Sequence, residues 1–431
     1  MDHFSYINGE MYAEGVPLQK IAEQVGTPFF CYSTATIERH YRVFRDAIEG
    51  LNANVFYAIK ANSNIAIIAT LARMGAGADV VSGGEFKRAL AAGIPGNRIV
   101  FSGVGKSRSE MAMALREGVY QISVESEPEL TQLSEVAKSL GLVAPIAIRI
   151  NPDVDAKTHE KITTGKSENK FGVDLALARD LYLKAAKLDG IEIVGAALHI
   201  GSQLTSLDPY REAYQRLIEF ADSLKADGIH LTRLDLGGGL GITYDDEQAP
   251  SPAEYGEMVK SMFMGLDYEV AFEPGRVIVG NAGVLVCRVL YIKEGSTRRF
   301  MIVDGAMNDL IRPTLYNAYH RIEPVLETPG EAELFEMDVV GPICESGDYL
   351  AKGRMLPNVG ADEMIILRST GAYASVMASS YNSRPLAPEV LVKGDVYSVI
   401  RKRVDIDVMI NQDVCPDWLN ADQEEVENSP K

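Results

Sequence analysis

The sequence predicts an α/β fold: an eight-stranded (β/α) barrel of the TIM type joined to a mainly antiparallel β-domain. Three observations carry this expectation. Between residues 55 and 275, eight short apolar runs alternate with longer stretches of helical periodicity, the pattern of parallel βα units. Right-handed crossovers allow an open sheet or a closed barrel, and eight strands within about 220 residues favour the barrel. After Gly275 the runs become β-branched, partly alternating and separated by turn signals, as in antiparallel sheets.

Taken in order, the first candidate strand is PFFCYS, before residue 35, which is free to join the second sheet. The barrel runs are VFYAI (55–59), GADVVS (77–82), IVFSG (99–103), QISVES (121–126), IAIRINP (146–152), VGAALHIG (194–201), LTRLDLGGG (231–239) and YEVAFEPG (268–275). Between them, stretches such as GGEFKRALAAG and SRSEMAMALREG space apolar residues for one helical face. The polar stretch 151–172, between strands 5 and 6, is too long for a connector and reads as a lid or binding loop. VIVGNAGVLVCRVLYIKEG, RRFMIVDG, ELFEMDVVGPI, ADEMIILRS and VLVKGDVYSVIRKR then build the β-domain. The acidic end, from about residue 418 to 431, is expected to fray.

Composition narrows the function. With 60 acidic against 42 basic residues the formal net charge is -18, so the surface repels phosphate backbones and a nucleic-acid partner is not expected. The cysteines, Cys31, Cys287, Cys344 and Cys415, form no CxxC pair, which fits reduced thiols of a cytoplasmic protein. The six histidines show no HxH or HExxH spacing, so no metal is expected. The start, MDHFSYINGEMY, lacks the basic and apolar regions of a signal peptide. No apolar run reaches membrane-spanning length.

Several strand ends carry polar residues: Lys60 after strand 1, Asp79 in strand 2, His199 at strand 6, glycines after strand 7, Glu273 at strand 8. In a barrel all C-terminal strand ends meet on the catalytic face. For Lys60, in YAIKAN, the ordinary reading is a strand terminus reaching water; the chemical one is an amine held in an apolar pocket for Schiff-base formation. Gly237, Gly238 and Gly239 could be a tight turn, or a place where backbone amides approach a phosphate. Glu273 and Arg276, in FEPGR, could be a surface pair of small energetic worth. They could equally pair a protonated ring nitrogen and grip an anion. His199, in LHIGSQ, could be a satisfied core histidine or a flat ring stacked on a planar cofactor, with Ser202 offered to a phosphate. Together, lysine, phosphate cradle, carboxylate and stacking ring answer the aldehyde, phosphate, pyridine nitrogen and ring face of pyridoxal 5'-phosphate.

YAIKAN, HIGSQ, LDLGGGLG, EPGR, DGAMNDLIRPTLYNAYH, GPICESGD and STGAYASVMASSYNSRP resemble the diaminopimelate decarboxylases, of the alanine racemase-like, fold type III group of pyridoxal-phosphate enzymes. The resemblance runs over roughly residues 5 to 415. It implies a barrel at 35–276 and a discontinuous β-domain formed by 1–34 and 277–431. It also implies roles. Lys60 would be the Schiff-base lysine, His199 would stack on the ring, and Ser202 with Gly237, Gly238 and Gly239 would hold phosphate. The turn Glu273-Pro274-Gly275-Arg276 would meet the cofactor, with Glu273 on the pyridinium and Arg276 also on the substrate. Tyr373 would lie near both. Arg312 and Tyr316 would contact the far end of an amino-acid substrate. Cys344 and Glu345 would enter the site from a second subunit, making a homodimer with shared active sites.

The implied reaction removes the carboxylate at the D-centre of meso-diaminopimelate, giving L-lysine and carbon dioxide, with Cys344 or Lys60 returning a proton. Arg312 and Glu345 would match the zwitterionic far end, which ornithine and lysine lack. Other readings stay open: a related basic amino-acid or carboxynorspermidine decarboxylase, differing at Arg312 and Glu345; a racemase, for which Glu273 is the wrong partner; and a non-catalytic, partner-binding relative.

Overall fold

The computed structural model describes residues 2–155, 170–328, 330 and 332–419. Most of the expected lid stretch and the acidic end from residue 420 lie outside them.

All eight expected runs form strands: Ala53–Ala58, Gly77–Val80, Ile99–Phe101, Gln121–Val124, Ala144–Asn151, Ile191–Leu198, Arg233–Asp235 and Glu269–Phe272. Each pairs in parallel with the next, and the eighth returns to the first (Phe272 opposite Val55), closing the barrel. Alternation sends one side chain into the barrel and the next toward the helices. Phe56, Val100 and Ala271 fill the interior with Tyr120. Below them the Arg233 guanidinium lies 3.9 Å over the Tyr120 ring and 3.4 Å from Glu269, closing the N-terminal end.

The helices start where short polar residues can cap them. Ser82, Ser107, Ser126 and Ser251 each accept a backbone N–H from a glutamate three residues on. At Ser107 and Ser251 the glutamate side chain reaches back, completing a capping box. The buried faces follow the apolar periodicity, with Phe86 and Ala89 in one helix and Met111, Ala114 and Leu115 in the next.

The second sheet runs in the order 349–357, 334–340, 299–303, 283–294, 29–33, 389–393, 396–401, with 364–367 also against 283–294. Its pairings are antiparallel except 299–303 with 334–340 and 29–33 with 389–393. Phe29–Ser33 thus joins this sheet from the N-terminal side of the barrel, where the run PFFCYS was free to go. Within the run VIVGNAGVLVCRVLYIKEG, Arg276–Val279 is a helical turn and the strand starts at Gly283. The β preference of Val277, Ile278 and Val279 gives way to tertiary contacts. A Cβ on Gly280 would lie 2.4 Å from Ile242, and one on Gly371 would lie 1.8 Å from the Val279 carbonyl.

Candidate active site

Closure of the barrel brings Lys60, His199 and Glu273 to one cavity of about 400 Å³, whose wall also carries Ser102, Arg149 and Phe171. Lys60 sits in the single turn Ile59–Ala61 that follows strand 1. Its Nζ donates to Asp79 Oδ2 at 2.8 Å; the lysine side chain is one-third exposed and Asp79 is fully buried. Burial pulls the lysine pKa down, but Asp79, Glu273 and Tyr373 outweigh it, so the amine is held protonated. The cavity wall beside Lys60 carries Val81, Val104, Ala197 and Leu198, while the amine itself faces carboxylates, because the inward position of strand 2 carries Asp79.

Three acids cluster beneath it. Burial, reinforced by Asp235 and Asp79, raises the Glu273 carboxyl well above the ordinary range, against Lys60 and Arg149. Burial also pushes Asp235 up to about 6. Asp235 accepts the Gly237 N–H at 3.0 Å and a Gln121 amide N–H at 3.2 Å. His199 Nδ1 accepts the Gly238 N–H at 3.3 Å, which assigns its proton to Nε2. Burial, then Lys60 and Arg149, hold its pKa well below normal, so the ring is neutral.

The glycines are a close-packed cradle. A Cβ on Gly238 would stand 2.2 Å from the Glu273 carbonyl, and one on Gly239 (φ +105°) 2.4 Å from the Gly201 carbonyl. Leu204 N–H donates to the Gly239 carbonyl, tying the HIGSQ segment to this loop. Pro274 accepts the Ala58 N–H, and a Cβ on Gly275 would meet Ala61 and Ala58 at 3.0 and 3.1 Å. These two residues lie against the backbone that carries Lys60.

Arg276 leaves this turn buried. Its Nη2 donates to Ser202 Oγ at 3.0 Å and its Nη1 to the Tyr244 hydroxyl at 2.6 Å, while the Tyr373 ring lies 4.7 Å beneath the guanidinium. Buried Arg276 Nε has no hydrogen-bond acceptor. Arg312 donates to His320 Nε2 at 2.9 Å and lies 4.6 Å over the Tyr244 ring. Tyr316 is close enough to act electrostatically on both arginines.

Cys344 and Glu345 are not brought to this cavity within the chain. Both are exposed, and Glu345 lines a separate hollow with Lys293, Arg298 and Tyr349. Among the described residues no ion pair joins Glu345 to Arg312.

Sequence reasoning assigned no role to Asp79, Arg149, Asp235, Tyr244 or His320. The first three carried a signal, a charge at an inward position of an otherwise apolar run. His320 closes the DGAMNDLIRPTLYNAYH segment. Tyr244 carried none.

A family model described as the pyridoxal-binding domain of pyridoxal-dependent decarboxylases matches residues 34–280. Diaminopimelate decarboxylase of Pseudomonas fluorescens is 50% identical over 404 residues, covering 94% of this chain and 96% of that protein. Among solved structures, diaminopimelate decarboxylase of Helicobacter pylori complexed with L-lysine superimposes with a TM-score of 0.88 at 43% identity, covering 92% and 98% of the two chains. Diaminopimelate decarboxylase from m. jannaschii in co-complex with L-lysine gives a TM-score of 0.92 at 34% identity and 97% and 99% coverage.

Proposed function

The chain belongs to the diaminopimelate decarboxylase family of pyridoxal-dependent enzymes, and from that premise we propose that it converts meso-2,6-diaminopimelate to L-lysine and carbon dioxide, the last step of lysine biosynthesis. One observation carries the reading most directly: Lys60, paired with Asp79, shares one cavity at the barrel mouth with His199 and Glu273.

The residues fit pyridoxal 5'-phosphate. The glycine loop has no room for side chains, as a backbone cradle for phosphate requires. Among the described residues, buried Arg276 Nε finds no acceptor and buried Asp79 Oδ1 no donor; both suit a polar ligand. Gly237, Gly238, Gly239 and Ser202 would hold the phosphate, with Arg276 beside them. Pro274 and Gly275 would keep the backbone close, Tyr373 would bound the pocket, and His199 would lie on the ring face. When bound, this cofactor supplies the electron sink that accepts the bonding pair as the carboxylate leaves.

The chain's own groups do the rest. Lys60 Nζ would be the amine that meets the cofactor's aldehyde, held in position by its hydrogen bond to Asp79 Oδ2. Glu273 would pair with the cofactor's ring nitrogen, where a positive charge would favour its ionised form. Arg312 and Tyr316 would grip the far end of the substrate, with Glu345 of the partner subunit answering its ammonium. The proton returned to the α-carbon would come from Lys60 Nζ or from Cys344 Sγ of the partner subunit.

The exposure of Cys344 and Glu345, away from their own chain's cavity, supports a homodimer with shared sites. Unpaired cysteines throughout support a cytoplasmic location, and no helix among the described residues is long and apolar enough to cross a membrane. The domain division proposed is 35–276 for the barrel and 1–34 with 277–431 for the β-domain.

The test is lysine and carbon dioxide release by purified protein with added pyridoxal phosphate, comparing meso-diaminopimelate with ornithine, arginine, lysine and carboxynorspermidine. Turnover confined to diaminopimelate is expected. Preference for a substrate without the far carboxylate would overturn the assignment of Arg312 while keeping Lys60.

A further inference from the structure

Arg276 and Arg312 are buried, with 7% and 6% of their surfaces exposed. Among the described residues neither meets a carboxylate. Arg276 has two hydroxyl acceptors and an unsatisfied Nε. Arg312 has the imidazole of His320, whose Nδ1 lies 2.8 Å from the Arg368 carbonyl. Donation from Nδ1 to that carbonyl leaves Nε2 as a neutral acceptor. A buried guanidinium without its counter-charge is costly, so two side by side need compensation.

One side chain touches both. The Tyr244 hydroxyl accepts from Arg276 Nη1 at 2.6 Å, and its ring lies 4.6 Å under Arg312. Its position is set from outside the pair. Glu247 accepts the Tyr244 and Asp245 N–H groups at 2.8 and 2.9 Å. Gln203 accepts the Ile242 N–H at 3.2 Å and donates to the Ile242 carbonyl at 2.5 Å. Since Gln203 follows Ser202, one clamp positions both hydroxyls that face Arg276.

We propose that Tyr244 is a specificity-determining residue, whose phenol oxygen and ring hold Arg276 and Arg312 together as a preformed pocket for the carboxylate at the far end of the substrate. Electrostatics agree: burial raises the phenol's pKa, but Arg276 and Arg312 more than reverse this. The phenol oxygen and ring hold the two guanidiniums in place, and a ligand carboxylate meets them at the spacing so fixed. The inference rests on the far-end role proposed above for Arg312.

The test titrates cofactor-loaded wild type and Tyr244→Phe calorimetrically with L-lysine, which carries that carboxylate, and with cadaverine, the same chain without it. Wild type is expected to prefer L-lysine. Tyr244→Phe is expected to weaken L-lysine binding about tenfold and cadaverine less than about twofold, with KM for diaminopimelate rising in parallel and kcat kept within about threefold. Unchanged preference, or equal weakening of both ligands, would overturn the proposal, the latter marking Tyr244 as packing alone. If Tyr244→Phe fails to fold, Tyr244→His, which also removes the phenol oxygen, carries the same comparison. Absence of diaminopimelate turnover by wild type would sink the functional reading, whereas the two binding titrations would still judge Tyr244.

Discussion

At the scale of single residues, the site is governed by how burial and charge set protonation. Asp79 keeps the Lys60 amine charged, so Asp79→Asn should lower the amine's pKa and make cofactor loading half-maximal at a lower pH; an unshifted loading profile would remove Asp79 from this role. Lys60→Ala should cut decarboxylation by about 10²–10⁴-fold, measured as carbon dioxide release. Asp235 gives a linkage test. Its carboxyl is raised from 3.8 to about 6 in the fold, so the native state binds the extra proton. Its contribution to stability is full below about pH 4 and is lost as pH rises toward 6. Thermal unfolding of cofactor-free protein should show this slope, and Asp235→Asn should flatten it. The asparagine oxygen can still accept the Gly237 N–H, and its amide N–H can donate to Gln121 Oε1 once the Gln121 amide turns. An identical slope in both proteins would refute the assignment.

At the scale of elements, loops after strands do the positioning and serine caps fix where helices begin. The glycine loop after strand 7 is pressed against the ends of strands 6 and 8. Gly238→Ala should therefore cost about 1–3 kcal/mol through overpacking, with cofactor affinity lost alongside. Denaturant unfolding and cofactor titration measure the two effects, and an unperturbed variant would mean that the loop can shift. Much of this level was legible beforehand. The eight apolar runs mark strands by period, whereas the serine caps of the helices emerged only from the structure. The helical turn at 276–279 was not legible, since its β-branched residues locally favour strand and only packing against Ile242 and Gly371 turns them.

At the scale of the whole molecule, the exposed Cys344 and Glu345 lie apart from the Lys60 cavity, and the proposed dimer brings each pair to the neighbouring site. Mixing inactive Lys60→Ala and Cys344→Ala proteins under exchanging conditions should then restore about a quarter of wild-type activity, since half of the dimers are mixed and each mixed dimer has one intact site. No recovery, with exchange shown by mass, would place both residues in one chain's site. Arg312→Lys should raise KM for diaminopimelate sharply, because an ammonium cannot reproduce the guanidinium's contacts with both His320 and Tyr244; near-wild-type kinetics would exclude the far-end pocket.

Periodicity, turn residues and strand-end chemistry are written locally, so the eight barrel strands and the β-domain that follows them were legible in the chain, as was the chemistry for which Lys60, His199, Glu273 and the three glycines are proposed. Which groups face one another was decided only by closure. The pairing of Lys60 with Asp79, the cluster of Asp79, Asp235 and Glu273, and Tyr244 between two guanidiniums join residues far apart in the chain or lie on turns without a pattern. Their effects depend on distance and burial, and neither exists until the barrel closes and the water is gone.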